Sequence, residues 1–210
     1  MKGRRRGRSN NNAEIIGIIG VVSEDEATHL GCAIANYLCS VEKMEVLYIE
    51  AGQVSNLYNL LKNKWLWKGQ DLLYCYKGVS YLLAVTSNKI REILSNRSDE
   101  LLAEVDIIIV DLGTTYIGNE EIIKMCSRMI IIGNLMPWNV KTYLDFALHL
   151  EKIYKDIGCL ERYSYNLTRD QKMLWYKETE NKIYNIPILG DPYNMKKQDV
   201  DVINSLVRGS

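Results

Sequence analysis

Histidine, proline and phenylalanine are nearly missing from this chain, which has two, three and one of them among 210 residues. Three prolines supply no Pro-rich linker, and the length suits one ordinary α/β domain. The five cysteines (Cys32, Cys39, Cys75, Cys126 and Cys159) include no C-x-x-C pair. With only His29 and His149 to add, no structural zinc site assembles by motif, and cysteines placed in apolar runs read as core residues. Long hydrophobic runs are lacking too. Ile15 to Val22, eight residues, is too short to span a bilayer. Ser23-Glu24-Asp25-Glu26 follows it in place of a small-residue cleavage site, which makes it a poor signal peptide. The expected location is cytoplasmic, and the sequons at Asn96 and Asn166 read as chance matches.

What is present is globular in kind: 47% hydrophobic and 25% charged residues exclude wholesale disorder. Basic and acidic residues balance at 26 each but are unevenly spread. Residues 1–12 contain Lys2, Arg4, Arg5, Arg6 and Arg8 and no acid, which leaves residues 13–210 acidic by five. The expectation is a disordered basic arm, 1–12, ahead of a single domain, 13–210.

Short apolar runs alternate with helical patterns along that domain. Ile15–Val22 reads as a strand buried on both faces, and Val46–Ile49, Ile107–Val110, Met129–Ile132 and Ile186–Leu189 read as further strands. Helical spacing marks Leu30–Cys39 and about 88–104, 119–127, 138–157 and 196–207. Two β-prone runs around Lys77-Gly78 read as a hairpin. The fold class that follows is α/β: a doubly wound, mostly parallel sheet of about six to eight strands, helices on both faces and one β-hairpin insertion.

In such a sheet ligands bind beyond the carboxyl ends of the strands, so the turn after the first strand is where a phosphate loop would stand. Its frame resembles the MinD/ParA family of deviant Walker-motif ATPases. Ile15 to Gly20 is similar to that family's first strand, and Thr28 to Leu38 to its first helix, T-T-x-x-A-x-x-L-A-x-x-L. Val46-Leu47-Tyr48-Ile49-Glu50 resembles its second strand, with Glu50 at a carboxylate position and Gly52 where a second Asp usually follows. Val105 to Gly113 resembles its Walker B segment, with Asp111 at the magnesium-side carboxylate. Asn166 stands where the family has a pair touching the adenine, and Ile186 to Pro192 resembles its last strand and adenine-side turn.

The turn itself departs from the pattern. Laid over K-G-G-x-G-K-T-T, it puts Val22 at the signature lysine, Ala27 at the Walker lysine, and Ser23, Glu24 and Glu26 at the glycines. Only Thr28 keeps its type. Each like-charge pair between these acids and a triphosphate would cost on the order of 3 kcal/mol at ~5 Å and an effective dielectric near ~20. Ser23 followed by three acids reads instead as a capped helix start. The expectations are therefore no catalytic residue, no metal and no cofactor, with Thr28, Glu50, Asp111, Asn166 and Pro192 as vestiges of a nucleotide site. The function expected is a pseudo-ATPase that binds or scaffolds another protein in a bacterial positioning, pilus or secretion machine. The alternative is a degenerate enzyme that still takes ATP and Mg.

Two surfaces are candidates for contact. Trp65, Trp67, Tyr74 and Tyr76 cluster around the hairpin, where aromatics serve either a protein interface, including a nucleotide-independent homodimer, or cover for the sheet edge. Arg4, Arg5, Arg6 and Arg8 suit an anionic surface, DNA or acidic lipid, or serve only as a solubilising tail. A place at the membrane is expected only through a partner.

Overall fold

β-branched residues crowd the segments that become the central strands, and their side chains divide between two faces. A computed structural model describes residues 13–68, 71–96, 100–154 and 159–208, with only the backbone described for 65–68, 71–72 and 100. In β1 (Glu14–Gly20), Ile15 and Ile19 enter one hydrophobic layer while Ile16 and Ile18 enter the other. β6 (Ile107–Asp111) divides in the same way, with Ile108 and Val110 on one face and Ile107 and Ile109 on the other. Alternation along a continuously apolar strand requires helices over both faces.

Those helices are present. α1 (Glu24–Ser40) and α7 (Lys197–Arg208) cover one face through Leu30, Ile34 and Ile203, and Leu61 of the short α2 (Tyr58–Leu61) joins them. α3 (Ser87–Ser95), α4 (Glu120–Met125), α5 (Val140–Tyr154) and α6 (Arg169–Thr179) cover the other with Ile90, Ile122, Tyr143 and Trp175. The remaining strands are β2 (Val46–Ala51), β3 (Trp65–Lys68), β4 (Asp71–Tyr76), β5 (Val79–Val85), β7 (Arg128–Gly133), β8 (Cys159–Tyr165) and β9 (Tyr184–Ile186). They form one sheet in the order β3-β4-β5-β2-β6-β1-β7-β8-β9. From β5 to β9 all neighbours pair parallel, while β3 and β4 are antiparallel additions at one edge.

The α/β class and the parallel sheet with its hairpin match the sequence reading. Lys77 and Gly78 both have positive φ, 50° and 90°, the backbone that a two-residue hairpin turn needs. The hairpin is longer than expected, because β3 adds a third antiparallel strand. The last strand ends at Ile186 instead of running from Ile186 to Leu189, since Pro187 has no N–H to extend the ladder. α3 stops at Ser95, short of the expected 104.

β8 and α6 were not foreseen, and β8 shows why. Its sequence, CLERYSY, breaks the apolar pattern with residues that the fold buries in pairs. Arg128 at the start of β7 donates through Nε and Nη2 to the two Glu161 oxygens, at 2.8 and 2.6 Å. The Tyr163 hydroxyl donates to the same carboxylate at 2.6 Å. Arg128 also donates to the carbonyls of Leu206 and Val207, which fastens the end of α7 to the sheet. Burial alone would pull the guanidinium down, but Glu161 outweighs it and holds Arg128 above its ordinary value. Glu161→Ala would strand a buried cation, and a loss of about 3–5 kcal/mol in urea unfolding is expected. A loss under about 1 kcal/mol would show the pair to be solvated.

Candidate functional site

The turn between β1 and α1 contains three residues, Val21 to Ser23. Ser23 caps α1, its hydroxyl accepting from the Asp25 N–H at 3.2 Å, and Glu24, Asp25 and Glu26 fill the first helical turn. The chain doubles back so closely that a Cβ on Gly20 would lie 2.2 Å from the Ser23 carbonyl oxygen. Helix thus begins a full turn before Thr28, over residues that a phosphate loop would need as open, glycine-rich backbone.

Asp111 ends β6 beneath this turn and is buried. Its Oδ2 accepts from Thr28 Oγ1 at 2.6 Å and from the Tyr48 hydroxyl at 2.7 Å, and its Oδ1 accepts from the Gly113 N–H at 2.9 Å. Burial raises its pKa above the ordinary value, while the hydrogen bonds from Thr28, Gly113 and Tyr48 pull the other way. Tyr48 is the functional-site residue that sequence reasoning missed. Its place in an apolar strand made it look like core. A clue lay in Gly31, where a Cβ would come within 3.0 Å of the Tyr48 ring and of its hydroxyl, so helix and tyrosine meet at van der Waals distance.

Of the five vestigial positions, Thr28 and Asp111 come together. Glu50 lies beside them, paired in register with Asp111, but its Oε1 accepts from the Asn56 N–H at 2.9 Å and it braces the loop after β2. Its Oε2 is buried without a partner, and burial raises its pKa. Asn166 and Pro192 lie in other loops: Asn166 is exposed with φ 50°, and the Pro192 carbonyl accepts from Asn36 Nδ2 at 3.0 Å. His29 contacts the Gly190 carbonyl through Nε2 at 2.8 Å.

The other candidates fall elsewhere. Tyr74 and Tyr76 are half-buried and spend their rings inside the fold, edge-on to Tyr58 and Tyr193. Trp65 and Trp67 lie in β3, and their side chains are outside the described residues, as are Arg4, Arg5, Arg6 and Arg8.

A cleft of about 550 Å³ opens at the carboxyl ends of β2, β5 and β6, walled by Gly52, Val54, Ser87, Gly113, Ile117 and Glu24. No Lys or Arg occurs in residues 21–26, 51–57, 112–119, 134–139, 166–168 or 187–192 at this edge, and Lys196 closes the last of these loops before α7. The acids there are Glu24, Asp25, Glu26 and Asp191. Glu26 accepts from Asn134 Nδ2 at 3.2 Å, and burial raises its pKa. For a magnesium nucleotide this donor set is poor: residues 21–26 contain no glycine, lysine or arginine, and internal donors reach both Asp111 oxygens.

Because burial lifts Asp111 above its ordinary 3.8, the native state keeps that proton to higher pH than the unfolded chain. Between the two values, rising pH removes from the natural protein a share of stability that Asp111→Asn, lacking the group, does not lose. The variant should lose about 1–3 kcal/mol at low pH through its misfit with three donors. That deficit should narrow as pH climbs above about 4, read by urea melts across the range. A deficit that widens would mean that the donors outweigh burial.

No family model and no curated protein matches the chain. Solved structures do. Similar chains include the MinC:MinD cell division protein complex of Aquifex aeolicus, with TM-score 0.66 and 18% identity, covering 94% of this chain and 97% of that one. A plasmid partition protein from Borrelia burgdorferi bound to AMPPNP gives TM-score 0.65 and 12% identity over 94% and 98%. A ParA family ATPase from Chlorobium tepidum gives 0.55 and 15% over 95% and 92%. Among the described residues no helix is long and apolar enough to cross a membrane. The likeness is one of fold, spans nearly the whole chain, and identifies this protein as having the MinD/ParA-like α/β fold.

Proposed function

We propose that this chain is a pseudo-ATPase, a MinD/ParA-like module that binds or scaffolds another protein in a bacterial positioning, pilus or secretion machine. The observation that carries this is the Asp111 carboxylate, whose oxygens are taken by Thr28, Tyr48 and the Gly113 N–H under a capped helix turn. A carboxylate that serves a hydrated magnesium ion needs oxygens aimed at solvent. The capped turn also has no lysine for a β- or γ-phosphate. No cofactor is required for this role.

A second reading has one observation in its favour. Thr28 and Asp111, at the family's hydroxyl and carboxylate positions, lie 2.6 Å apart, so a degenerate ATPase would keep that pair for ATP and Mg. Tyr48 weighs against it by donating to the same Asp111 oxygen.

Two surfaces extend the proposal. The basic arm reaches an anionic surface, DNA or acidic lipid, and places the protein at a membrane only through its partner. Self-association, through the hairpin around Trp65 and Trp67, is independent of nucleotide, because two Glu24-Asp25-Glu26 turns brought face to face would repel.

Titration calorimetry with ATP and Mg should give no binding tighter than about 100 μM. A tighter constant overturns the pseudo-ATPase. Light scattering should return the same mass with and without ATP, and a mass that doubles only with nucleotide supports the enzyme.

A further inference from the structure

The loops at the carboxyl edge are unusual in their apolar residues as well as in their charge. Val54 is 83% exposed, Ile117 72%, Trp138 71% and Ile188 70%, and Val22 and Met136 are exposed beside them. Each sits in a loop leaving a parallel strand: Val22 after β1, Val54 after β2, Ile117 after β6, Met136 and Trp138 after β7, and Ile188 after β9. Large apolar side chains gathered at one edge mark an interaction surface.

The sheet order makes the rim continuous. Val54, Ile117 and Glu24 wall the same cleft. The Glu26–Asn134 hydrogen bond joins the first turn of α1 to the loop that bears Met136 and Trp138. Five strand spacings separate β2 from β9, so the rim is about 24 Å across, enough for a helix of about four turns.

Charge selects the occupant. Glu24 and Asp25 are exposed in the middle of the rim, Asp191 is exposed at one end, and Lys196, which closes the loop after β9, is the one Lys or Arg in the loops that bear these residues. A second copy presenting the same rim would set acid against acid, and an acidic membrane would be repelled likewise. The chain's own arm has the right charge, but Met1 is its only large apolar residue. We infer that the carboxyl edge, where relatives of this fold would be searched for a nucleotide, is instead a docking surface for a partner-protein segment that combines apolar anchors with Lys or Arg. Its anchors pack against Trp138, Ile117 and Ile188, and its cations face Glu24 and Asp25. This rests on the reading that the edge takes no nucleotide, and it adds the chemistry of the partner.

The test is selection of a displayed random-peptide library on the immobilised full chain, followed by fluorescence anisotropy with the selected peptides. The expected peptides pair Trp, Leu or Phe with Lys or Arg. Ile117→Ser with Trp138→Ala should weaken their binding at least about tenfold, as for central interface anchors. Glu24→Lys with Asp25→Lys should do the same at about 0.1 M salt and much less at about 1 M, where screening shortens to ~3 Å. Tyr176→Ala, in a groove along α6 outside these loops, should have no effect. Acidic or uncharged peptides, indifference to the rim variants, a dimer that Trp138→Ala dissolves, or acidic vesicles bound through the rim each overturn the proposal. ATP with Mg that displaces the peptide overturns the nucleotide-free reading as well. If ATP stays inert while the selection fails, only the partner chemistry is lost.

Discussion

A carboxylate shut away from water must find its hydrogen bonds inside the protein, and Asp111 finds three, each from a different element. Thr28 comes from α1, Tyr48 from β2 and the Gly113 N–H from the loop after β6. These contacts fix the pitch of the first helix over the centre of the sheet. They also set how near β2 lies to α1, since Gly31 leaves room for the Tyr48 ring and no more. The short turn after β1, the early start of α1 and the filled space above Asp111 form one arrangement. Opening the turn would leave a buried charge with fewer donors.

The same arrangement bears on activity. Catalytic phosphate sites leave backbone N–H groups and carboxylates unpaired within the protein so that a ligand can pair them. Here both Asp111 oxygens are paired within the protein and the helix terminus is capped by its own Ser23 and acids. A binding role fits such a surface because it asks only for exposed anchors and complementary charge, both of which lie in the loops.

How much of this was legible in the sequence follows from which forces act locally. Strands with runs of β-branched residues and no polar side chain, such as Ile15–Ile19 and Ile107–Val110, declare themselves because burial on both faces leaves no polar position. The Ser23 cap was legible for the same reason, being set by neighbours within three residues. β8 was not, because Glu161 and Arg162 look solvated until Arg128, a strand away, is seen to neutralise one and Glu151 on α5 the other. Tyr48 was not, because its partner lies 63 residues away. The rim residues were hidden by their isolation: one apolar side chain among turn-forming neighbours says nothing until the sheet order sets the loops side by side.

The two ends of the described chain have a consequence for how the molecule can be held. Ala13 precedes β1, and α7 finishes where Arg128 at the start of β7 grips its last carbonyls. Both therefore leave from the amino edge of the sheet, the side opposite Trp138 and Ile188. A tether at either end, whether an engineered tag or a basic arm on an anionic surface, points the apolar loops outward. The described chain thus has a back, where both its ends leave, and a front, where the apolar loops lie, and a tether on the first leaves the second free.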